Sequence, residues 1–277
     1  MFKIKKYIPD IVVAIILIAG IGLLAYPTIG DYINALHSSK AIGSYVEKTK
    51  DLSKEEKENL LREAREYNES LVGKVNRYYL NEEEKKRYAH ILDITKTGIM
   101  AYVEIPKLNI YMPVYHGTDE GVLQIAAGHL PGSSLPVGGE NTHSLISGHR
   151  GLPSAKLFTD IDKLKKGDLF FIHVFDEVLA YKVNQIKIVL PDDVETLEIE
   201  KGKDYVTLIT CTPYGVNSHR LLVRGERTVY KQSESKIEDM IKKNNLKYIM
   251  LTAGVILALI GMTVLVSVFL IKRRKRR

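Results

Sequence analysis

The only cysteine of the chain, Cys211, lies where a predicted strand ends. The strand sequence DYVTLITC is followed at once by Thr212, Pro213, Tyr214 and Gly215, residue types that turn the chain. The thiol is therefore expected at the rim of a sheet. A lone cysteine is commonly a small buried apolar residue, but the rim position favours a nucleophile.

A cysteine nucleophile needs a base or a cation nearby to lower its pKa, and histidine commonly fills this role. Among the eight histidines, His149 is preferred, because THSLISGHRG carries it from an apolar strand into a glycine-flanked loop. His219, which follows the turn after Cys211, is the main rival. The remaining histidines lie in helices, at a strand start, in a Gly/Pro loop or, for His116 and His173, in strands where structural roles are expected: His37, His90, His116, His129, His143 and His173.

Arg220 begins the predicted strand RLLVRG beside this rival histidine. An arginine among apolar residues needs an anionic or carbonyl partner to offset its desolvation. In a structural role it pairs with an acid. In a functional role its guanidinium donates to the oxyanion of a tetrahedral acyl intermediate or holds a substrate carbonyl.

The charge of the chain is concentrated at its two ends. Of the net charge of +7 over 277 residues, the first ten residues contribute +2 and the last six contribute +6, so the rest carries −1. The body therefore lacks the basic surface of a nucleic-acid-binding protein. One cysteine also excludes an intrachain disulfide and a cysteine-rich zinc site, and no metal or organic cofactor is expected.

Two apolar segments flank the central part of the chain. Residues 11–26 carry no charge and follow the basic stretch FKIKKY. A cleaved signal peptide is one interpretation, but no small-x-small pattern follows, so a retained anchor is preferred. Residues 248–271 are also uncharged, are long enough to span a bilayer, and end at the basic tail KRRKRR.

The basic flanks of both segments predict the topology, because positively charged flanks stay in the cytoplasm. Both termini are expected inside the cell, with residues from about 30 to about 245 outside. The tail is interpreted as a topological anchor that also attracts anionic lipid. Outside the cell a free thiol risks oxidation, so Cys211 is expected to be either buried or used.

Residues 51–92 have the pattern of two amphipathic helices. Ser53, with Glu56 three residues later, predicts a capping box at the first helix start. Asn81 precedes a second helix that has acidic residues first and basic residues later, as the helix dipole favours. Apolar residues of the first helix recur at helical spacing: Leu60, Leu61, Ala64, Tyr67, Leu71, Val72 and Val75.

After Gly98 the pattern changes to short runs rich in Val, Ile, Tyr and Thr, separated by turn residues. The runs are AYVEIP, IYMPVYHG, THSLISG, DLFFIHVF, VLAYKVNQIKIVL, DYVTLITC and HRLLVRGERTVY. Many short strands predict a closed or partly closed β-barrel. Short helices are expected at residues 155–164 and 192–197.

The segments TLITCTPYGVNSHRLLVRGER, SGHRGLPSAKLFTDIDKLKKGD and IPKLNIYMPVYHGT resemble the sortases, cysteine transpeptidases of Gram-positive cell surfaces. The resemblance covers residues 98–230. It implies a closed eight-stranded sortase-type barrel. The expected fold is therefore mostly β, with this barrel, short helices, an N-terminal helical arm and, from the two apolar segments, a transmembrane helix at each end. It also implies that Cys211, His149 and Arg220 are catalytic and that His219 is a supporting neighbour.

The resemblance further implies cleavage of an LPxTG-like sorting signal between Thr and Gly through a thioacyl enzyme, which an amine resolves. The stretches CTPYG and GLPSAKLFTD and the C-terminal apolar segment are similar to class C sortases, in which that amine is a pilin lysine. Such enzymes have an Asp-Pro-aromatic lid motif in the arm. Here Tyr78 and Tyr79 occupy the corresponding stretch without Asp or Pro, so they are candidate lid residues and a weak or absent lid is expected.

The expected organisation is an N-terminal anchor at 1–30, a helical arm at 31–97, a catalytic barrel at 98–232, a linker at 233–247 and a C-terminal membrane helix with its tail at 248–277. Expected partners are sorting signals, a pilin lysine amine and membrane lipid of a Gram-positive plasma membrane. Two other functions stay open: a housekeeping sortase that anchors proteins to peptidoglycan, and a non-catalytic membrane scaffold that binds pilins. A general cysteine protease is least favoured.

Overall fold

The computed structural model describes residues 8–229, together with the single positions 250, 253, 254 and 261. The predicted C-terminal membrane helix therefore falls outside the described residues, apart from those four positions. The helices are α1 (Ile8–Asp51), α2 (Lys54–Leu71), α3 (Glu82–His90) and α4 (Glu120–Leu123). The strands are β1 (Ile99–Ile105), β2 (Ile110–His116), β3 (Ala127–His129), β4 (Thr142–Ser147), β5 (Leu169–Val174), β6 (Glu177–Val189), β7 (Asp204–Thr212) and β8 (His219–Arg227).

The eight strands of the described region close into a barrel in the order β1-β2-β3-β4-β7-β8-β6-β5. The pairs β2–β3 and β4–β7 are parallel, and the other six pairs are antiparallel. Closure leaves no free sheet edge, which suits many short strands rich in β-branched and aromatic residues. The predicted eight-stranded barrel is confirmed.

Large side chains fill the barrel core, and a glycine lies where a neighbouring ring leaves no room for a side chain. Phe170 and Tyr181 are fully buried and stack at 5.6 Å between ring centres. A Cβ at Gly225 of β8 would lie 2.5 Å from the Phe170 ring. Only glycine fits at this point of the strand, because real side chains do not approach so closely.

The arm helices begin where the capping patterns predict. Ser53 caps α2 in a capping box with Glu56, and Asn81 caps α3 in a second capping box, with Glu84. Helix α2 ends at Leu71, however, so Val72 and Val75 lie beyond it and are exposed. The prediction that these two valines continue the helix is wrong, because Gly73 adopts a positive φ of 72° and turns the chain.

The arm packs against the barrel through specific polar contacts. The Asn68 side chain donates to the Leu135 carbonyl at 3.1 Å and accepts from its N–H at 2.6 Å. The Tyr45 hydroxyl of α1 donates to the Met100 carbonyl and accepts from the Phe175 N–H, at 3.1 and 3.0 Å. Buried hydrogen bonds of this kind fix orientation, because an unpaired partner would be costly.

Helix α1 joins the predicted anchor to the predicted arm. It runs without a break through residue 30, with Pro27 inside it. Within the described residues, one helix is long and apolar enough to cross a membrane, and it is this one. Its first half exposes large apolar side chains such as Leu23 and Leu24, which is typical of a surface that faces lipid.

Two elements were not predicted, and two were predicted too long. Strand β3 and helix α4 have three and four residues, too few to show a period in the sequence. The helix expected at 155–164 is a 3-10 turn at Ile161–Lys163, and the helix expected at 192–197 is a 3-10 turn at Glu195–Leu197. Each turn has one buried apolar side chain, Ile161 or Leu197.

His129 and His143 are buried in the barrel wall and hydrogen-bonded there. His129 lies with Nδ1 3.0 Å from the Tyr88 hydroxyl and Nε2 2.8 Å from the Ser134 carbonyl. His143 lies with Nδ1 2.9 Å from the Glu198 carbonyl and Nε2 2.7 Å from the Thr207 hydroxyl. Burial lowers the pKa of His129 to about 3 and that of His143 to about 4.

These pKa values predict acid sensitivity of the fold. Below the unfolded pKa near 6.5 the unfolded chain takes up protons at both positions, whereas the folded chain does not until about pH 4. Each histidine should therefore lower the free energy of unfolding by about 1.4 kcal/mol per pH unit between pH 6 and 5. Denaturant unfolding of the barrel at several pH values measures this slope.

The variant His143→Gln should reduce that slope by its own contribution, about 1.4 kcal/mol per pH unit, because Gln keeps a donor and an acceptor but does not titrate. His90→Gln, at an exposed position on α3, is the matched control and should leave the slope unchanged. A free energy of unfolding that stays constant from pH 7 to pH 5 would contradict the neutral, buried state of both imidazoles.

Candidate active site

The register of two parallel strands brings the predicted base level with the predicted nucleophile. Strand β4 pairs with β7 from Thr142↔Asp204 to Ser147↔Ile209. The pairing continues one residue further through the bond from Gly148 N to Ile209 O, at 3.0 Å. One more step along both strands puts His149 level with Cys211, because parallel neighbours advance together.

The antiparallel partner of β7 brings the arginine to the same place. Cys211 and Arg220 are directly paired across β7 and β8. Directly opposed residues have Cβ atoms about 4.5–5.5 Å apart, and their side chains lie on the same face. Nη1 of Arg220 donates to the carbonyls of Asn217 and His219, both at 3.2 Å. These bonds fix the arginine side chain at the start of β8.

All three side chains line one large cavity of about 1090 Å³. Val189, Leu197, Ile209 and Leu222 also line it, and with Leu145 they form a separate buried apolar cluster beneath it. The cavity therefore combines an apolar floor with a thiol, an imidazole and a guanidinium at its rim. Such a site suits an extended peptide with apolar side chains and a reactive carbonyl.

A carboxylate contacts the imidazole from the side of α4. Nε2 of His149 lies 3.6 Å from Oε2 of Glu120, and the two side chains are 26% and 74% exposed. A hydrogen bond from Gln124, and then the proximity of His149, lower the pKa of Glu120. The carboxylate is therefore ionised at neutral pH and available to orient a protonated imidazole.

The loop that follows His149 is fastened at several points. The Phe158 N–H donates to the His149 carbonyl at 3.1 Å. The Phe158 ring also packs on Gly148, where a Cβ would lie 2.6 Å from it. Thr210 donates from its hydroxyl to the Gly148 carbonyl at 2.7 Å. These contacts fix the backbone on both sides of the imidazole.

The remaining histidines of the barrel have structural surroundings. His116 bonds to the carbonyls of Gly98 and Ile91, at 2.9 and 2.8 Å, and burial lowers its pKa. His173 is buried and pairs with Glu104 at 2.7 Å. Both histidines therefore have the hydrogen-bonded surroundings that the sequence analysis expected.

The rival histidine, His219, lies at the first position of β8, where the chain pairs with Thr212. Its Nδ1 is 2.9 Å from the hydroxyl oxygen of Ser218. Its backbone carbonyl accepts a hydrogen bond from Arg220. His219 therefore lies one residue pair away from the Cys211–Arg220 pair, and its backbone contacts the arginine.

The segment between α2 and α3 forms one wall of the cavity. Tyr78 and Tyr79, the candidate lid residues, both line the cavity. Burial raises the pKa of Tyr78, whereas Tyr79 is 84% exposed. Arg77, which the sequence did not single out, is buried and donates to the Leu197 carbonyl and the Tyr78 hydroxyl, both at 2.7 Å, and lies 3.7 Å from Glu198.

Within the described residues, no group of three or more His, Cys, Asp or Glu side chains has the arrangement of a metal site. The buried pair of His173 and Glu104, on strands β5 and β1, has only two side chains of these types.

The comparisons with known proteins all find sortases. A family model for the sortase domain matches residues 103–228. Sortase A of Streptococcus agalactiae is 28% identical over 153 residues, which are 54% of this chain and 61% of that protein. The chain spans about six tenths of the length of the curated relatives it matches.

The similarity to solved structures covers more of the chain than the sortase-domain match does. The crystal structure of sortase C1 from Streptococcus agalactiae is 49% identical, with a TM-score of 0.68 over 69% of this chain and all of that one. A crystal structure of sortase C from Streptococcus pneumoniae is 47% identical, with a TM-score of 0.63 over 70% of this chain and 99% of that one. With its closed barrel and its cysteine at the rim, the chain therefore belongs to the sortase family of cysteine transpeptidases.

Proposed function

We propose that this chain is a membrane-held class C-like sortase that joins pilin subunits through their sorting signals. The observation that carries the proposal is the convergence of Cys211, His149 and Arg220 on one rim of the barrel, above an apolar cavity. A thiol, an imidazole and a guanidinium together supply a nucleophile, a proton carrier and an oxyanion donor.

In the first half of the reaction, the Cys211 thiolate attacks the carbonyl carbon of the Thr-Gly peptide bond. A C–S bond forms, the carbonyl electrons move to oxygen, and their return expels the glycine nitrogen. His149, as imidazolium, donates a proton to that nitrogen, so the leaving group departs as a neutral amine. The products are a thioester on Cys211 and a neutral His149.

In the second half, the ε-amine of a pilin lysine attacks the thioester carbonyl. A C–N bond forms, the C–S bond breaks, and the thiolate of Cys211 is regenerated. His149 takes the proton that the amine loses and returns to the imidazolium form, so no oxidant or other co-reactant is required. The product is an isopeptide bond between two subunits.

Arg220 serves both halves by stabilising negative charge on the carbonyl oxygen. Its Nη1 is engaged with the carbonyls of Asn217 and His219, and Nε and Nη2 provide three further N–H donors. Because the guanidinium is already held in place, little free energy is needed to reorganise it when the oxyanion forms. Glu120, beside His149, stabilises the imidazolium that both halves require.

The class C assignment is supported by similarity to class C structures over more of the chain than the sortase domain alone. The similar structures of sortase C1 and sortase C cover about seven tenths of this chain, more than the sortase-domain match over residues 103–228. The Streptococcus pneumoniae structure is described as giving insight into pilin substrate specificity. On that basis we propose that pilins are the substrates of this chain.

We further propose that the N-terminal anchor at 1–30 and the C-terminal segment at 248–277 hold the enzyme in a Gram-positive plasma membrane with both termini inside. The arm at 31–97 and the barrel at 98–232 then lie outside, and 233–247 is the linker. The apolar first half of α1 supports the N-terminal anchor. Charge at the two ends supports the orientation.

We also propose that Tyr78 and Tyr79 form a weak lid that substrate displaces. Support comes from their position in the cavity wall and from the bonds of Arg77 to the Leu197 carbonyl and the Tyr78 hydroxyl. The wide exposure of Tyr79 indicates that its ring contributes little to closure.

Cleavage of an LPxTG peptide by the full chain tests the catalytic assignments. Cys211→Ala should abolish cleavage, and His149→Ala and Arg220→Ala should each lower kcat at least about 100-fold, because each removes a distinct chemical role. His219→Ala should retain most of the activity. A loss in His219→Ala that matches the loss expected for His149→Ala would overturn the choice of base.

Competition between acceptor amines tests the class. The enzyme is incubated with a sorting-signal peptide, a lysine-bearing pilin domain and a peptidoglycan-type amine at equal concentration, and products are identified by mass spectrometry. Transfer to the pilin lysine is expected. Preferential transfer to the wall amine indicates a housekeeping sortase, and absence of any product indicates the non-catalytic scaffold; either result contradicts the proposal.

The lid proposal predicts faster access to the thiol when Arg77 is replaced. Arg77→Met keeps an apolar stem but loses both hydrogen bonds, so alkylation of Cys211 by a bulky reagent should accelerate about three- to tenfold. Arg87→Met, an exposed arginine on α3, is the matched control. An unchanged alkylation rate in Arg77→Met would show that the segment does not restrict the cavity.

A further inference from the structure

The residue after His149, Arg150, is a nearly buried arginine that links two segments of the chain. Its side chain is 11% exposed, and its Nη2 forms an ion pair with Asp162 Oδ2 at 2.5 Å. Its Nη1 lies 3.4 Å from the hydroxyl oxygen of Thr212, the residue after Cys211. The guanidinium therefore connects a neighbour of the proposed base with a neighbour of the proposed nucleophile.

A second contact joins the same two segments. A Cβ at Gly151 would lie 3.2 Å from the ring of Tyr214, and the φ of Gly151 is +81°. The guanidinium carbon of Arg150 lies 6.0 Å from the centre of the same ring, within the range of a cation–π contact. The loop after β4 and the turn after β7 are thus packed against each other next to the reactive groups.

The partner of the arginine is itself firmly placed. Asp162 belongs to the 3-10 turn Ile161–Lys163, and Ile161 is fully buried. The Ile161 N–H donates to the Phe158 carbonyl, and the Phe158 N–H donates to the His149 carbonyl. A ring of contacts therefore leads from His149 through the turn to Asp162 and back to Arg150.

Stability alone is a poor explanation for this arginine. Its Nε is buried and has no hydrogen-bond partner in the described structure. The ion pair with Asp162, whose side chain is 40% exposed, contributes little to stability, and a buried donor left unpaired costs free energy. An apolar residue would fill the same space at lower cost, so the guanidinium is better explained by its position between the two segments.

We propose that Arg150 is a positioning residue, which holds the imidazole of His149 at working distance from the thiol of Cys211 by fastening their two loops together. The inference rests on the proposed function. A displacement of about 1 Å between reacting groups can lower a rate about 100-fold, so the loss of Arg150 should affect the chemical step more than peptide binding.

Three variants of the full chain test the proposal: Arg150→Ala, Arg150→Lys and Asp162→Asn. Lys keeps the charge but reaches one partner where Arg reaches two, so it should restore part of the loss. Asp162→Asn removes the ion pair while Arg150 stays, and it keeps the test valid if Arg150→Ala fails to fold. Lys163→Ala, which removes an exposed charge next to Asp162 and leaves Asp160 paired with Lys156, is the matched control.

Two readouts are measured on each folded variant. In peptide cleavage, Arg150→Ala should lose about 10- to 100-fold in kcat with less than about a twofold change in KM. In alkylation of Cys211 across pH 5–10, its rate profile should move from the wild-type profile to that of His149→Ala. Glu120 and Arg220, which also face the pair, are unchanged in these variants and do not account for the shift.

The two readouts separate failure of this proposal from failure of the proposed function. If the wild-type chain cleaves no sorting peptide, the transpeptidase proposal fails, while the alkylation profiles still report on the spacing of His149 and Cys211. If Arg150→Ala and Asp162→Asn keep the wild-type alkylation profile, or if His149→Ala itself does, Arg150 does not position this pair and the inference is overturned.

Discussion

The parallel pairing of β4 with β7 is the constraint on which the site depends. Its register ends at Ser147↔Ile209 and brings His149 level with Cys211 two residues later. A slip of one residue would turn one of these side chains to the opposite face of the barrel, since neighbouring residues of a strand alternate. The closed barrel resists such a slip, because every strand is held on both sides.

Solvent access distinguishes the proposed catalytic histidine at the rim from the buried histidines of the barrel wall. His129 and His143 are buried and hydrogen-bonded, and burial keeps them neutral at physiological pH. His149 is partly exposed beside an ionised carboxylate, that of Glu120. The imidazoles of this chain therefore have different surroundings: burial favours the neutral form of His129 and His143, whereas His149 is open to solvent at the rim.

The sequence predicted those parts of the fold and site that depend on local pattern. Helix starts at Ser53 and Asn81 follow from capping chemistry, and the barrel follows from many short strands. Strand β3 and helix α4 are too short to show a period. Arg77 and Arg150 were not singled out, because their partners Leu197 and Asp162 are brought close only by the tertiary fold, and neither pairing leaves a mark in local sequence.

The central claim is that Cys211 carries the acyl group. The most direct measurement is intact-mass and peptide-mapping mass spectrometry of the full chain quenched in acid during turnover of a sorting-signal peptide. The account predicts one added mass, equal to the fragment that ends in Thr, on the peptide that contains Cys211 and removable by hydroxylamine, as a thioester is. An adduct on another residue, or cleavage without any adduct in wild type that also persists in Cys211→Ala, would contradict it.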